Sequence, residues 1–267
     1  MLIGFGARGE RIKDIQSALN EAGYGPLTAD GVYGKLTHTA VKLFQKAAGL
    51  AVDGVVGPKT MMALSRQQTA TGAQRSADPP AIIRAIEAMD YLVYEDGKIN
   101  IIGVRRTNDV EPNKFDDDIY LAWVGGGEWQ SRCYPCTTDP GTYWLESPMR
   151  VDGTAIMVPG QYVDAYCWGL HRGQYETLVN RGPGGPVKVF RDANKDSVID
   201  MDYSTIEEGH GLNLHHAGTD SSQVNRWSAG CQVFKRLSDW HEAMAVWKAS
   251  DAELFTYTLI NDTDLTS

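Results

Sequence analysis

Apolar residues recur at three- and four-residue steps in two stretches near the start of the chain. The first holds Ile12, Ile15, Leu19 and Ala22, the second Ala40, Val41, Phe44, Ala47 and Ala48. That spacing lines each set along one side of a 3.6-residue helix. A third helix is signalled by Pro58, which a first helical turn tolerates. Ile82, Ile83, Ile86 and Met89, opened by Pro80, read as one more helix. Beyond it the period changes to short runs rich in β-branched and aromatic residues: Ile99 to Val104, Ile119 to Val124, Ala155 to Val158, Val187 to Phe190, Leu212 to His215, Cys231 to Phe234 and Leu254 to Ile260. These predict strands. The helical period returns once, over Leu237 to Ala249, with Trp240, Ala243, Met244 and Trp247 on one face.

Two loops between the first helices repeat each other. Asp30-Gly-Val-Tyr-Gly-Lys-Leu-Thr37 is echoed by Asp53-Gly-Val-Val-Gly-Pro-Lys-Thr60, five of eight positions being identical. Each Asp-Gly makes a tight turn, because glycine accepts positive φ. Residues 66 to 80, RQQTATGAQRSADPP, are small and polar and end in two prolines, the composition of a flexible tether with a domain boundary near residue 75. The expected fold class is multidomain. A small all-α three-helix module over residues 1–66 is joined by a linker over 67–80 to a mainly β (α+β) domain over 81–267.

The N-terminal pattern resembles a known family. Gly9, Ile15, Leu19, Gly23-Tyr24, Asp30-Gly31, Gly34, Thr37, Ala40-Val41, Phe44-Gln45, Gly49-Leu50, Asp53-Gly54, Gly57, Thr60 and Leu64 look like the three-helix peptidoglycan-binding domain of cell-wall enzymes, over residues 6 to 66. The resemblance implies that the module grips the bacterial wall. Tethering there raises the effective concentration of an attached catalytic domain. Most of these glycines and apolar residues build the fold, so none is singled out as a contact.

Composition narrows the remaining choices. Among 267 residues, 42% apolar, no run approaches the length that spans a bilayer, so no membrane insertion is expected. Four cysteines are too few for a disulfide scaffold. The opening MLIGFGAR has no charged n-region and a short apolar run, which predicts no secretory signal and residence in a host cytoplasm until release to the wall. The net charge of -9 is unevenly divided: residues 1 to 70 carry eight Lys/Arg against five Asp/Glu, the rest seventeen against twenty-nine. An acidic chain argues against nucleic acid as a partner.

The candidate chemistry lies between His215-His216 and Ser228-Ala-Gly-Cys231. A thiol attacks only as thiolate, so a histidine within reach changes what a cysteine can do. In Gly211-Leu-Asn-Leu-His-His216, two-residue alternation puts Leu212, Leu214 and His216 on one face and Asn213 and His215 on the other. With the leucines toward the core, His215 faces an open cleft. His215 would withdraw the thiol proton and later protonate the leaving amine. Backbone N–H groups near Gly230 and Cys231 could hold an oxyanion, and Asp220 or a backbone carbonyl could orient the imidazole.

His215 followed after sixteen residues by Cys231 is similar to the L,D-transpeptidase catalytic-domain family, whose pattern ends in Ser/Thr-His-Gly-Cys. The likeness spans roughly residues 97 to 260. It implies Cys231 as nucleophile, His215 as base and Ser228 as a supporting residue. Ala229 stands where the family has a second histidine, and Gln232-Val-Phe replaces Ile-Arg after the cysteine. The acceptor of the acyl group is therefore open. His216 stays as the alternative base, and Arg226, Asp220 and His171 as further catalytic or substrate-binding candidates.

Weaker signals surround this segment. Cys133-Tyr-Pro-Cys136 has zinc or redox spacing, yet no second Cys/His pair accompanies it, and it reads as two ordinary thiols. Asp192-Ala-Asn-Lys-Asp196-Ser-Val-Ile-Asp200 imitates a calcium loop, but Ser197 replaces the turn glycine and Tyr203 the closing glutamate, which favours a plain hairpin turn. No metal and no cofactor are assigned. Trp144, Tyr162, Tyr166, Trp168 and His171-Arg172 are read as candidates to line a groove. The whole chain looks like a bacteriophage endolysin: a monomeric peptidoglycan hydrolase cutting an amide of the peptide stem or cross-bridge through a cysteine thioester. A cross-linking L,D-transpeptidase and a non-catalytic wall-binding protein are the alternatives.

Overall fold

The computed structural model describes residues 2–70, 79–107 and 113–266. The boundary expected near residue 75 lies outside the described residues. The chain divides into two compact units, Met1–Pro79 with Ile86–Glu95, and Pro80–Ala85 with Asp96–Ser267.

The first unit contains three helices, α1 (Glu10–Glu21), α2 (Lys35–Ala47) and α3 (Pro58–Ala70). They enclose Ile3, Ile12, Ile15, Leu19, Tyr33, Ala40, Val41, Phe44, Val56 and Leu64. The predicted stripe on α2 differs in one respect. Ala47 and Ala48 are exposed, and Gln45 takes the buried position beside Phe44. The loop repeat explains why an amide is buried there. Gln45 Nε2 donates to Asp53 Oδ1 (2.8 Å), Val55 O (2.9 Å) and Thr60 Oγ1 (3.2 Å), while its Oε1 accepts the Gly54 N–H (2.9 Å). Gln16 on α1 does the same at the first turn, with Asp30 Oδ1 (2.9 Å), Val32 O (3.1 Å), Thr37 Oγ1 (3.1 Å) and Gly31 N–H (3.0 Å). Each Asp-Gly turn is thus read by a glutamine from the preceding helix and handed to a threonine that opens the next. Gly31 and Gly54 hold φ of 74° and 69°, the left-handed region the turn demands.

In the second unit, after α4 (Ala81–Ala88), the strands are β1 (Asn100–Arg105), β2 (Asp117–Gly125), β3 (Glu128–Thr137), β4 (Thr154–Met157), β5 (Gly160–His171), β6 (Tyr175–Val179), β7 (Val187–Asp192), β8 (Glu207–Gly209), β9 (Leu214–His216), β10 (Gln232–Phe234) and β11 (Leu254–Asn261). Helix α5 (Thr142–Glu146) follows β3, and α6 (Leu237–Ala249) follows β10. Eight strands close a barrel in the order β1-β11-β5-β6-β9-β10-β3-β2, and β4, β7 and β8 form a second sheet. Trp240, Ala243, Met244 and Trp247 of α6 are buried in the main core, as their spacing predicts. Strands β3, β5, β6 and β8 were not apparent from pattern. On β3, Ser131, Arg132 and Cys133 are exposed in succession, so alternation is lost there. Of the aromatic residues of β5, Tyr166 belongs to the wall, fully buried with its hydroxyl on Leu212 O (2.9 Å), whereas Trp168, packed edge-on against Phe255, lines a pocket with Glu176, Trp247 and Lys248.

A buried arginine ties the barrel to the second sheet. Arg105, on β1, pairs through Nε with Asp139 (2.9 Å) and donates from Nη1 to Met157 O (2.8 Å) and from Nη2 to Thr138 O (3.0 Å). A buried cation is tolerated only when its donors are satisfied, and these bonds also fix the chain just after β3. Two residues on, the Gly141 N–H donates to Ser228 O (2.9 Å), so this segment braces the turn that leads to Cys231.

Candidate active site

Strands β9 and β10 run parallel, with Gln232 opposite Leu214, Val233 opposite His215 and Phe234 opposite His216. The Gln232 N–H donates to Asn213 O (3.0 Å), which extends the ladder and brings Cys231 opposite Asn213. Leu214, Phe234 and His216 share the face packed on α6, with the His216 ring 4.8 Å from that of Trp240. Cys231 and His215 therefore share the other face, two positions apart on adjacent strands, at about 8 Å between Cα atoms by ordinary strand spacing. His216 is turned away from the thiol, which leaves His215 as the histidine on the cysteine's side.

His215 is not in an open cleft, a correction to the alternation argument. It is 2% exposed, its ring stacked 4.1 Å from that of His171. Its Nδ1 bonds His216 O (3.0 Å), which fixes the proton on Nδ1 and leaves Nε2 as an acceptor. Nε2 is buried and has no hydrogen-bond partner among the described residues. A buried acceptor without a donor is costly unless something else supplies one. The orienting group is thus the carbonyl. Asp220, offered as its rival, is exposed and lies 4.0 Å from Lys235 Nζ.

The turn before Cys231 is held by Ser228 and Gly230. Ser228 Oγ donates to Cys231 O (2.8 Å) and accepts the Gly230 N–H (3.1 Å). Ser228 is fully buried, so it shapes the turn and does not touch a substrate. The Gly230 N–H is committed to that bond, which removes it as an oxyanion donor. Gly230 itself has φ of 113°, and a Cβ there would stand 2.4 Å from Ala155 O on β4. Gly230→Ala is accordingly expected to lower stability by at least about 2 kcal/mol and displace the thiol; an unaltered urea midpoint would show that the backbone can yield there.

Arg226, Trp144 and Tyr143 belong to the same support. Trp144 Nε1 donates to Arg226 O (3.1 Å), and the Arg226 guanidinium lies over the Tyr143 ring (4.0 Å). His171 closes the other side, its Nδ1 3.4 Å from Asn213 Nδ2. Sequence reasoning missed Gly211 and Asn213: the Cys231 thiol is directed to Gly211 O (3.6 Å), which also accepts the Asn213 backbone N–H (3.1 Å). The polar Asn213 inside an apolar alternation was the available signal. Cys133 and Cys136, three apart on β3, are exposed and buried respectively, as two separate thiols would be.

Electrostatics set the resting state. Burial pushes the Cys231 thiol up to about 11, against which the Asn213 N–H and the Arg172 guanidinium act. Burial pushes His215 down to about 3, helped by the neighbouring His171, and pushes His171 itself down to about 4. Both partners are neutral near pH 7. Peptide-resolved alkylation of Cys231 by iodoacetamide should therefore keep rising through pH 9; a plateau by pH 7 would reveal a preformed thiolate–imidazolium pair.

Residues 8–64 match the family model described as "Putative peptidoglycan binding domain". Over 62 residues the chain is 47% identical to the N-acetylmuramoyl-L-alanine amidase CwlL of Bacillus licheniformis, covering 22% of this chain and 17% of that protein. Among solved structures, the SleB N-terminal domain is 38% identical, covers 26% of this chain and 93% of its own length, and has a TM-score of 0.25. The L,D-transpeptidase (residues 123–326) of Xylanimonas cellulosilytica is 19% identical over 96% of each chain, with a TM-score of 0.25. The N-terminal region belongs to the peptidoglycan-binding domain family. The chain spans less than a fifth of the length of the amidase.

Proposed function

We propose that the second unit is a cysteine acyl-transfer enzyme that hydrolyses an amide in the peptide part of peptidoglycan, as an endolysin does. One observation carries this reading: His215 Nε2, a buried acceptor with no partner, lies on the same strand-pair face as Cys231. The thiol proton, which now points to Gly211 O, would become that donor when the side chain turns toward Nε2 on substrate binding. On substrate binding, Sγ attacks the amide carbon while its proton passes to Nε2, and the oxyanion forms against the Cys231 N–H. The imidazolium then protonates the departing amine, leaving a thioester. Water, deprotonated by the same nitrogen, releases the acid and regenerates thiol and neutral ring. The peptidoglycan-binding domain supports the wall as the place where this happens.

Mass spectrometry of muropeptides released from purified sacculi tests the proposal. New amine and acid termini are the expected products, with loss of turbidity. Cross-linked dimers in their place would assign transfer to an amine, and wall binding without product would leave a binding protein. Removing residues 1–70 should weaken sacculus pull-down and leave cleavage of soluble muropeptides near its original rate; loss of both would overturn the division of labour.

A further inference from the structure

One face of helix α2 is exposed and carries two kinds of side chain in parallel rows. At about 100° per residue, Lys35, Lys42 and Lys46 fall within an arc of about 40°, with Thr39 beside them and Leu36 and Leu43 about 90° round from the lysines. All six are exposed, Leu36 at 73% and Leu43 at 54%. Neither leucine belongs to the core of the module. The helix has no acidic residue, and among the described residues none of its lysines forms an ion pair. Asp53, the carboxylate on which Lys42 acts, is already held by Gln45 Nε2 (2.8 Å) and the Val55 N–H (2.8 Å). Lys13 on α1 differs, being paired with Glu10 at 2.6 Å.

We infer that this face of α2 is the surface through which the first unit holds peptidoglycan, its lysines taking free carboxylates of the peptide stems and its leucines their methyl and methylene groups. The inference rests on wall binding by the first unit and not on the chemistry proposed for Cys231. Charge decides which part of the polymer is held. A row of unpaired ammonium groups is matched by an acidic peptide, whereas a neutral sugar strand offers it no counter-charge. Single exposed apolar side chains are common, but two on one face beside unpaired charge make an amphipathic strip that a ligand with both kinds of group would cover.

Length agrees with charge. From Lys35 to Lys46 the row runs about 16 Å along the helix axis. An extended peptide covers that distance in about five residues, the scale of a peptide stem. The opposite side of α2 is taken up by the core through Ala40, Val41 and Phe44, so the strip can be altered without touching what folds the module.

Pull-down of the full chain on purified sacculi, with the chain lacking residues 1–70 as reference, tests the surface. Lys35→Gln/Lys42→Gln/Lys46→Gln should bind at least about tenfold more weakly, three exposed charge contacts being worth a few-fold each. Glutamine forms helix about as well as lysine, so the circular dichroism of this variant should match the parent. Leu36→Ser/Leu43→Ser should bind about fivefold more weakly. Lys13→Gln, which removes a cation already paired, should bind like the parent. Capture of the parent should fall as NaCl rises from about 0.05 to about 0.5 M, and should fail on sacculi whose carboxylates have been amidated with carbodiimide and methylamine. Parent-level capture of the triple lysine variant, an equal loss in Lys13→Gln, or undiminished capture by amidated sacculi would overturn the assignment. A concentration-dependent dimer abolished by the leucine variant would give the face to a second copy of the chain instead. Full capture of the chain lacking residues 1–70, or no capture of the parent, would remove wall binding from the first unit and this surface with it.

Discussion

Cys231→Ala is expected to abolish release of peptide fragments from sacculi, by at least about 10⁴-fold, while sacculus pull-down stays at the parent level. The size follows from the role: no other group in the turn can form the acyl bond, since Ser228 Oγ is buried and donating to Cys231 O at 2.8 Å. The fold should tolerate the change, because alanine keeps the Cβ and the ladder bond from Gln232 N–H to Asn213 O is a backbone bond. The proposal places wall binding in residues 8–64, the stretch that matches the peptidoglycan-binding model. Cys231→Ser separates nucleophilicity from shape: a hydroxyl of similar size should remain nearly inactive. Fragment release by the alanine variant at the parent rate would end the thiol mechanism.

How far this site could be read before the fold was known depends on the range of the interactions. The helices of the first unit follow from local periodicity, and the Asp-Gly echo located both turns that Gln16 and Gln45 grip. Helix α6 was legible for the same reason, its apolar face being set by four residues of one segment. Alternation along residues 212–216 separated His215 from His216, and the parallel register of β9 and β10 adds that Cys231 is on the side of His215. What alternation could not supply is what covers that face. His171 arrives from the end of β5, a strand whose aromatic residues read as a groove, and its ring seals His215 from solvent. The support of the turn was equally hidden, because Arg105, Gly141 and Ala155 are each far from Cys231 in sequence and polar or small in kind.

His215→Gln should lower cleavage at pH 7 by about 10⁴-fold, and the loss should shrink as pH rises. Glutamine can keep the bond to His216 O that Nδ1 now makes, so the stack on His171 and the packing around it are largely retained. What it cannot do is accept a proton. The variant must rely on thiol already ionised by solvent, and with the Cys231 thiol held up at about 11 that fraction is about 10⁻⁴ at pH 7. Each added pH unit multiplies it tenfold, so at pH 10 the deficit should narrow to roughly tenfold. On the proposed mechanism the parent chain should have no such slope, because His215, pushed down to about 3, stays neutral throughout this range. His171→Gln is the control: its Nδ1 faces Asn213 Nδ2 at 3.4 Å, and its loss should cost less and show no rise with pH. A His215→Gln deficit of equal size at pH 7 and pH 10 would mean that the ring supports the fold and carries no proton.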